Sequence, residues 1–198
     1  MSNRLPLLLF FALAVSSSNL ARAGADCSYN RQALMALDEH SFDQDLAGGW
    51  RTLGNISACQ EVAADVIRDY RESHHLTSGI LYWHEGQLRA MANHYEQAVP
   101  LLEKSREPAM RDVAWNLYVD ATIAFLNKDL AALEKARTTL AALQPSGDVR
   151  VRNGYLEING EQSKIRWPVN LDVVDGLYSC FRKSYWDAYG AACRNSGK

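Results

Sequence analysis

The chain is constrained most by a polar break, Asn93-His94, set between two stretches of helical periodicity. Before the break, Leu81, Trp83, His84, Leu88 and Met91 recur at three- and four-residue steps. After it, Tyr95, Ala98, Leu101, Leu102 and Ser105 do the same. Such spacing gathers side chains on one stripe of an α-helix. Two stripes separated by a short polar break bury each other when the chain folds back. Residues 80–107 therefore predict an antiparallel helical hairpin.

Helical stretches flank this hairpin. Residues 30–39 read as a helix with Leu34 and Leu37 inward, stopped by His40-Ser41. Gly48-Gly49 then reduces 42–54 to a short helical piece. Residues 59–70 form a firm helix with Val62, Ala63, Val66, Ile67 and Tyr70 on one face. Glu107-Pro108 closes the central hairpin. Another pair follows, 113–126 and 130–143, turning at Asn127-Lys128-Asp129 and stopped by Gln144-Pro145-Ser146-Gly147.

The arms recur. Gly86, Tyr95, Ala98, Leu102 and Ser105 have counterparts 35 residues later in Ala121, Leu130, Leu133, Arg137 and Leu140. Ala63, Ile67 and Tyr70 precede Ala98, Leu102 and Ser105 by the same interval. Two helices in a period of about 34 residues resemble the tetratricopeptide repeat, TPR. Tyr82, Gly86, Tyr95, Ala98 and Leu102 carry the likeness in the central unit, and Pro145 closes the next. It covers residues 48–145. The resemblance implies an all-α fold, a right-handed TPR-like array of helical hairpins over 24–147. Glu85 and Arg89 depart from it, standing where the first helix usually has large apolar residues. Arg137 also takes an apolar position, and Pro100 removes a backbone donor inside the second helix. An ordinary helical bundle is the alternative.

The tail has a different texture. Residues 148–168 mix Val149, Val151, Tyr155, Leu156 and Ile158 with Gly154 and Gly160. Ile158-Asn159-Gly160-Glu161 reads either as a tight turn between two short strands or as an irregular connector. Asn170 is placed to cap a helix over 171–181, and Ser184 another to about residue 192. Residues 148–198 are thus expected to form a C-terminal extension capping the open end of the repeat stack.

Compartment is legible at the start. Arg4 precedes an apolar run over residues 5–15, and Ala21-Arg22-Ala23 is a small-x-small cleavage signal. Residues 1–23 are expected to be a signal peptide, with a cut after Ala25 as second choice. The apolar run is too short for a bilayer span of about 20 residues. A soluble exported protein follows, periplasmic in a Gram-negative cell or secreted, with no membrane insertion after cleavage. Losing Arg4 and Arg22 lowers the basic count from 21 to 19 against 23 acidic residues, a net charge of −4. That balance, with no basic tract, disfavours nucleic acid as a partner.

Four cysteines, Cys27, Cys59, Cys180 and Cys193, fit two disulfides in an exported chain. Of three pairings we favour Cys27–Cys59, where helices one and three of an up-down-up array begin at the same end. Cys180–Cys193 would then close a short loop against fraying. Without C-x-x-C, a redox motif or zinc ribbon is disfavoured.

Catalytic patterns are missing. His84-Glu85 begins a zinc-protease motif, but Leu88 stands where the second histidine belongs. The sequence contains no G-x-S-x-G and no phosphate-binding glycine loop. His74, His75, His84 and His94 have no ligand spacing, so no metal and no cofactor is expected. In proteins of the repeat family that this chain resembles, first helices line a groove that holds peptides. Registering on Gly86 and Ala98 places Ile80, Trp83, Gln87 and Met91 towards that groove, with Trp115, Tyr118, Thr122 and Phe125 from the next unit. Trp83, Gln87, Trp115, Asn116, Tyr118, Asp120 and Thr122 are the candidate partner-binding residues, rings giving contact area and polar groups bonding a backbone. The same rings could instead pack between repeats. Asp120, flanked by Val119 and Ala121, would need a partner if buried, and Arg89 is one choice. A non-enzymatic protein that binds a protein or peptide is the leading expectation. A periplasmic immunity or inhibitor protein is a narrower version. A small hydrolase using His84, Glu85 or Asp120 is the alternative from another class, and a structural role in an envelope complex a further one.

Overall fold

The computed structural model describes residues 25–108, 112–147 and 149–194. The expected signal segment lies outside them. The described chain is mostly helical and carries one small antiparallel sheet.

Three short helices come first: α1 (Arg31–Met35), α2 (Glu39–Asp43) and α3 (Arg51–Gly54). The single helix expected over 30–39 is therefore broken. Asp38 takes an extended conformation and accepts the Ser41 N–H at 2.9 Å, starting a new helix instead of continuing the old one. After a 3-10 turn at Ser57–Cys59 come α4 (Gln60–Ser73), α5 (Gly79–Met91), α6 (Tyr95–Lys104), α7 (Val113–Leu126) and α8 (Leu130–Ala141). Each packs on the next in chain order.

The turn after α5 shows why the chain reverses where it does. Asn93 is left-handed, with φ +65°, and the His94 N–H reaches back to the Arg89 carbonyl at 2.8 Å. Asparagine tolerates that conformation, and the long back-bond closes the helix end. The device returns 35 residues on. Lys128 has φ +58°, and the Asp129 N–H bonds the Ala124 carbonyl at 2.9 Å. Gly86 sets how closely α5 and α6 approach. A Cβ there would lie 3.0 Å from Leu102 Cδ2 and 3.2 Å from the Ala98 carbonyl oxygen. Pro100 lies inside α6 and is exposed.

Helix α5 divides the interior in two. Leu81 and Leu88 join Phe42, Trp50 and the apolar face of α4. Trp83 and Ala90 join the larger cluster built by α6, α7, α8 and the C-terminal helices. A helix with a core on two sides has little surface left for charge, yet Glu85 and Arg89 are buried. Both face α4, where Arg71 bonds Glu85 at 2.8 Å and Asp65 bonds Arg89 at 2.5 Å. A buried charge is tolerable only when paired in this way.

The tail forms a three-stranded meander, more than the single hairpin or connector expected. Strands β1 (Val151–Arg152), β2 (Tyr155–Ile158) and β3 (Glu161–Arg166) lie in the order β1-β2-β3. Arg152 pairs with Tyr155 and Ile158 with Glu161 across the dipeptides Asn153-Gly154 and Asn159-Gly160, whose φ values are all positive. Two-residue turns of this hand suit the strand twist, and Asn-Gly is the sequence that makes them. The second dipeptide is the turn considered in the sequence. The first is the same signal, missed there.

Three helices end the description: α9 (Leu171–Ser179), α10 (Tyr185–Tyr189) and α11 (Ala191–Arg194). Asn170 does not cap α9 with its side chain; it is left-handed at φ +65°. Ser184 does cap α10, but the helix ends at Tyr189 because Gly190 is extended. Helix α9 lies on α7 and α8, whereas α10 returns to α5. Cys27–Cys59 and Cys180–Cys193 are bridged, the favoured pairing. Bonds of that kind belong to an oxidising environment. No helix among the described residues is long and apolar enough to cross a membrane.

Candidate functional site

Trp115, Tyr118, Thr122 and Phe125 follow one another at helical spacing on α7, and Trp83 and Gln87 face them from α5. Trp83 and Tyr118 are each only 3% exposed, and their ring centroids are 4.6 Å apart. Thr122 is fully buried and donates its hydroxyl to the Tyr118 carbonyl. Gln87 points its amide at the Tyr185 hydroxyl, 3.4 Å away. Tyr185 belongs to α10 and is completely buried against Phe125, while its backbone N–H donates to the Tyr95 hydroxyl. The chain's own C-terminal segment thus covers the lower half of the face assigned to a partner. Burial pushes the Tyr118 and Tyr185 phenols above their ordinary pKa. Nothing local in the sequence around Tyr185 signals that return.

Two polar candidates are engaged within the chain. Asn116 accepts the Glu107 N–H at 3.0 Å and donates to the Glu107 carbonyl at 2.9 Å, clamping the segment between α6 and α7. Asp120 is not buried. Its side chain is 47% exposed and pairs with Arg106 at 2.7 Å. Arg89, the partner considered for it, is bound to Asp65 instead. The apolar neighbours of Asp120 in sequence lie on other sides of α7, so burial does not follow from them.

Trp115 is the candidate that lines cavities. A cavity of about 450 Å³ between α5 and α7 is lined by Ile80, Ser105, Glu107, Asp112 and Trp115. A second, of about 320 Å³, shares Asp112 and Trp115 and is walled by Leu143, Val149, Leu156 and Trp167. The Trp115 indole N–H donates to the Ser105 carbonyl at 2.8 Å, and that of Trp167 to the Leu143 carbonyl at 3.0 Å. With both polar ends satisfied, the rings offer carbon surface at no desolvation cost. Asp112 holds the floor, its carboxylate accepting the Trp115 N–H as the cap of α7. A third cavity, about 900 Å³, shares Val169 and Asn170 with the second and lies beside β3. The second cavity shares lining residues with each of the other two, and apolar side chains make up most of its walls. Sequence reasoning missed its second wall: Trp167 and Leu156 sit in the tail, where no helical period places them.

His84 stands apart. Its Nδ1 lies 2.7 Å from Asp43 Oδ1, and Trp50 Nε1 donates to the same oxygen at 2.9 Å. A carboxylate orienting an imidazole is half of an acid–base arrangement. Here the pair is largely buried between α2 and α5, and His84 lines none of the cavities named above. The bond ties α2 to α5. Among the described residues, no group of three or more His, Cys, Asp or Glu side chains converges as metal ligands would.

No protein-family model, curated protein or solved structure matches the chain.

Proposed function

We propose that this is an exported, periplasmic protein of tetratricopeptide-like build that binds a protein or peptide partner and carries out no catalysis. Support for the build comes from consecutive helix pairs and from the close Gly86–Ala98 approach. Support for export comes from the leader-like residues 1–23 and from two bridges that oxidation maintains. The observation that carries the binding reading is the meeting of two cavities at Trp115, with both flanking indole N–H groups already bonded. The two rings gain from apolar contact, and their N–H groups lose no hydrogen bond on being covered. The partner contacts of the reading therefore centre on Trp115, while Trp83, Tyr118 and Thr122 support it from beneath.

Site-specific photocrosslinking in the native host tests this. A benzophenone side chain in place of Trp115 should give a discrete protein or peptide adduct, and the same group at exposed Leu46 should not. Equal adducts at both positions, or none at Trp115, would sink the reading.

A further inference from the structure

We propose that the cavity lined by Trp115 and Trp167 receives an arginine side chain of the bound partner, with its guanidinium against the Asp112 carboxylate. The inference rests on the peptide-binding reading above and names the residue by which the partner is held. The cavity, of about 320 Å³, lies at the lower end of the range for ligand pockets, which suits one long side chain better than a larger ligand. Val113 and Val149 line it and are 43% and 39% exposed, so it opens to solvent.

Most of the wall is carbon. Leu143, Val149, Leu156 and Val169 lie along it with the two indoles. The methylene stem of an arginine packs on such a surface while its head keeps a polar partner. The indole N–H groups, the electropositive edge of each ring, are turned to the Ser105 and Leu143 carbonyls. What remains of each ring is carbon with an electron-rich face. Tryptophan is the strongest aromatic partner for a cation, and arginine the cation most often found on one.

Charge selects the occupant. Asp112 is the one charged residue on the described lining. Its Oδ1 accepts the Trp115 backbone N–H at 2.8 Å, and no cation pairs with it among the described residues. Lys164, Arg166 and Arg194 line the neighbouring cavity beside β3, and none of them lines this one. An apolar side chain would fill the walls but cover Asp112 without giving it a partner. A lysine would bring a compact, strongly hydrated charge. The planar guanidinium can lie along an indole and bond a carboxylate at the same time.

The test titrates the disulfide-bonded, isotope-labelled chain with N-acetylarginine amide and with N-acetylnorleucine amide, which has an apolar stem and no charge. The readout is the indole N–H resonances of Trp115 and Trp167, assigned with Trp115→Phe and Trp167→Phe. The arginine derivative should move both resonances to saturation, and the norleucine derivative should bind about tenfold more weakly. Asp112→Asn removes the charge and keeps a side chain that caps α7 as well as aspartate does. It should bring the arginine derivative down to the norleucine level while the circular dichroism spectrum stays that of wild type. Asp112→Ser, another capping residue, should do the same. Equal binding of the two derivatives to wild type would make the cavity a plain apolar anchor and overturn the proposal. So would an arginine preference that survives both Asp112 variants. In a partner captured through position 115, the crosslinked segment should contain an arginine, and a segment without one would also overturn it. If neither derivative moves either resonance while position 115 still crosslinks a partner, this inference falls and the binding reading stands. If position 115 gives no adduct, both fall.

Discussion

Asp43 is a carboxylate with 1% of its surface exposed and several donors aimed at it. His84 and Trp50 bond one oxygen, Gln44 the other at 2.5 Å, and Arg51 Nη1 stands 4.0 Å away. Burial opposes its ionisation, but the His84 hydrogen bond and charge, the indole N–H and Arg51 together outweigh burial. Its pKa is therefore held below the ordinary value. A depressed folded-state pKa means that the ionised carboxylate favours the fold. The contribution is complete above the unfolded pKa of about 3.9 and is lost as pH falls through the lower folded value. Asp43→Asn keeps the size and loses the charge. It should cost about 2 kcal/mol at neutral pH, read from urea unfolding. The gap between variant and wild type should narrow below about pH 4. A gap that stays constant on acidification would show that charge is not what Asp43 contributes.

At the scale of elements, the helix pairs depend on contacts between backbones as much as on apolar faces. Gly86 lets α5 lie against Ala98 and Leu102 of α6. Gly86→Val has to move the Leu102 side chain and the Ala98 carbonyl. It should destabilise the fold by about 2 kcal/mol, with Gly86→Ala milder because only one methyl is added. Chemical denaturation checks this: the midpoint should fall with the slope unchanged. Equal midpoints for Gly86→Val and wild type would mean that α5 and α6 do not pack through this position. The interface on the other side of α5 is different in kind. There Leu81 and Leu88 pack on the apolar face of α4, and Arg71–Glu85 and Arg89–Asp65 add two ion pairs to that apolar contact.

For the whole molecule, the two bridges fasten the ends of the described chain to its body. Cys27 is joined to the start of α4, and Cys193 is joined to the end of α9, holding α11 on α9 and beside α10, which itself reaches α5. Cys180→Ser with Cys193→Ser should cost about 3 kcal/mol, the entropy of a short closed loop. Removing Cys27–Cys59 should cost slightly more, since its sequence separation is 32 against 13. Thermal unfolding with and without reductant measures both. An unchanged midpoint for the Cys180 and Cys193 variant would mean that buried Tyr185, not the bridge, holds the C-terminal segment.

The sequence by itself determined the elements whose cause is local. Helical period placed α4 to α8 to within a few residues, Asn93 marked the reversal, Asn159-Gly160 marked a turn, and cysteine position pointed to both bridges. Only the tertiary structure decided which side chains are open. Asp120 is exposed, and Glu85 and Arg89 are buried in pairs with α4, because burial depends on which neighbour covers a face and not on the residues adjacent in the chain. Tyr185 fills the face expected to bind a partner, and Trp167 completes a cavity around Trp115. Both come from a tail whose path is set by long-range contacts that no short window of sequence encodes.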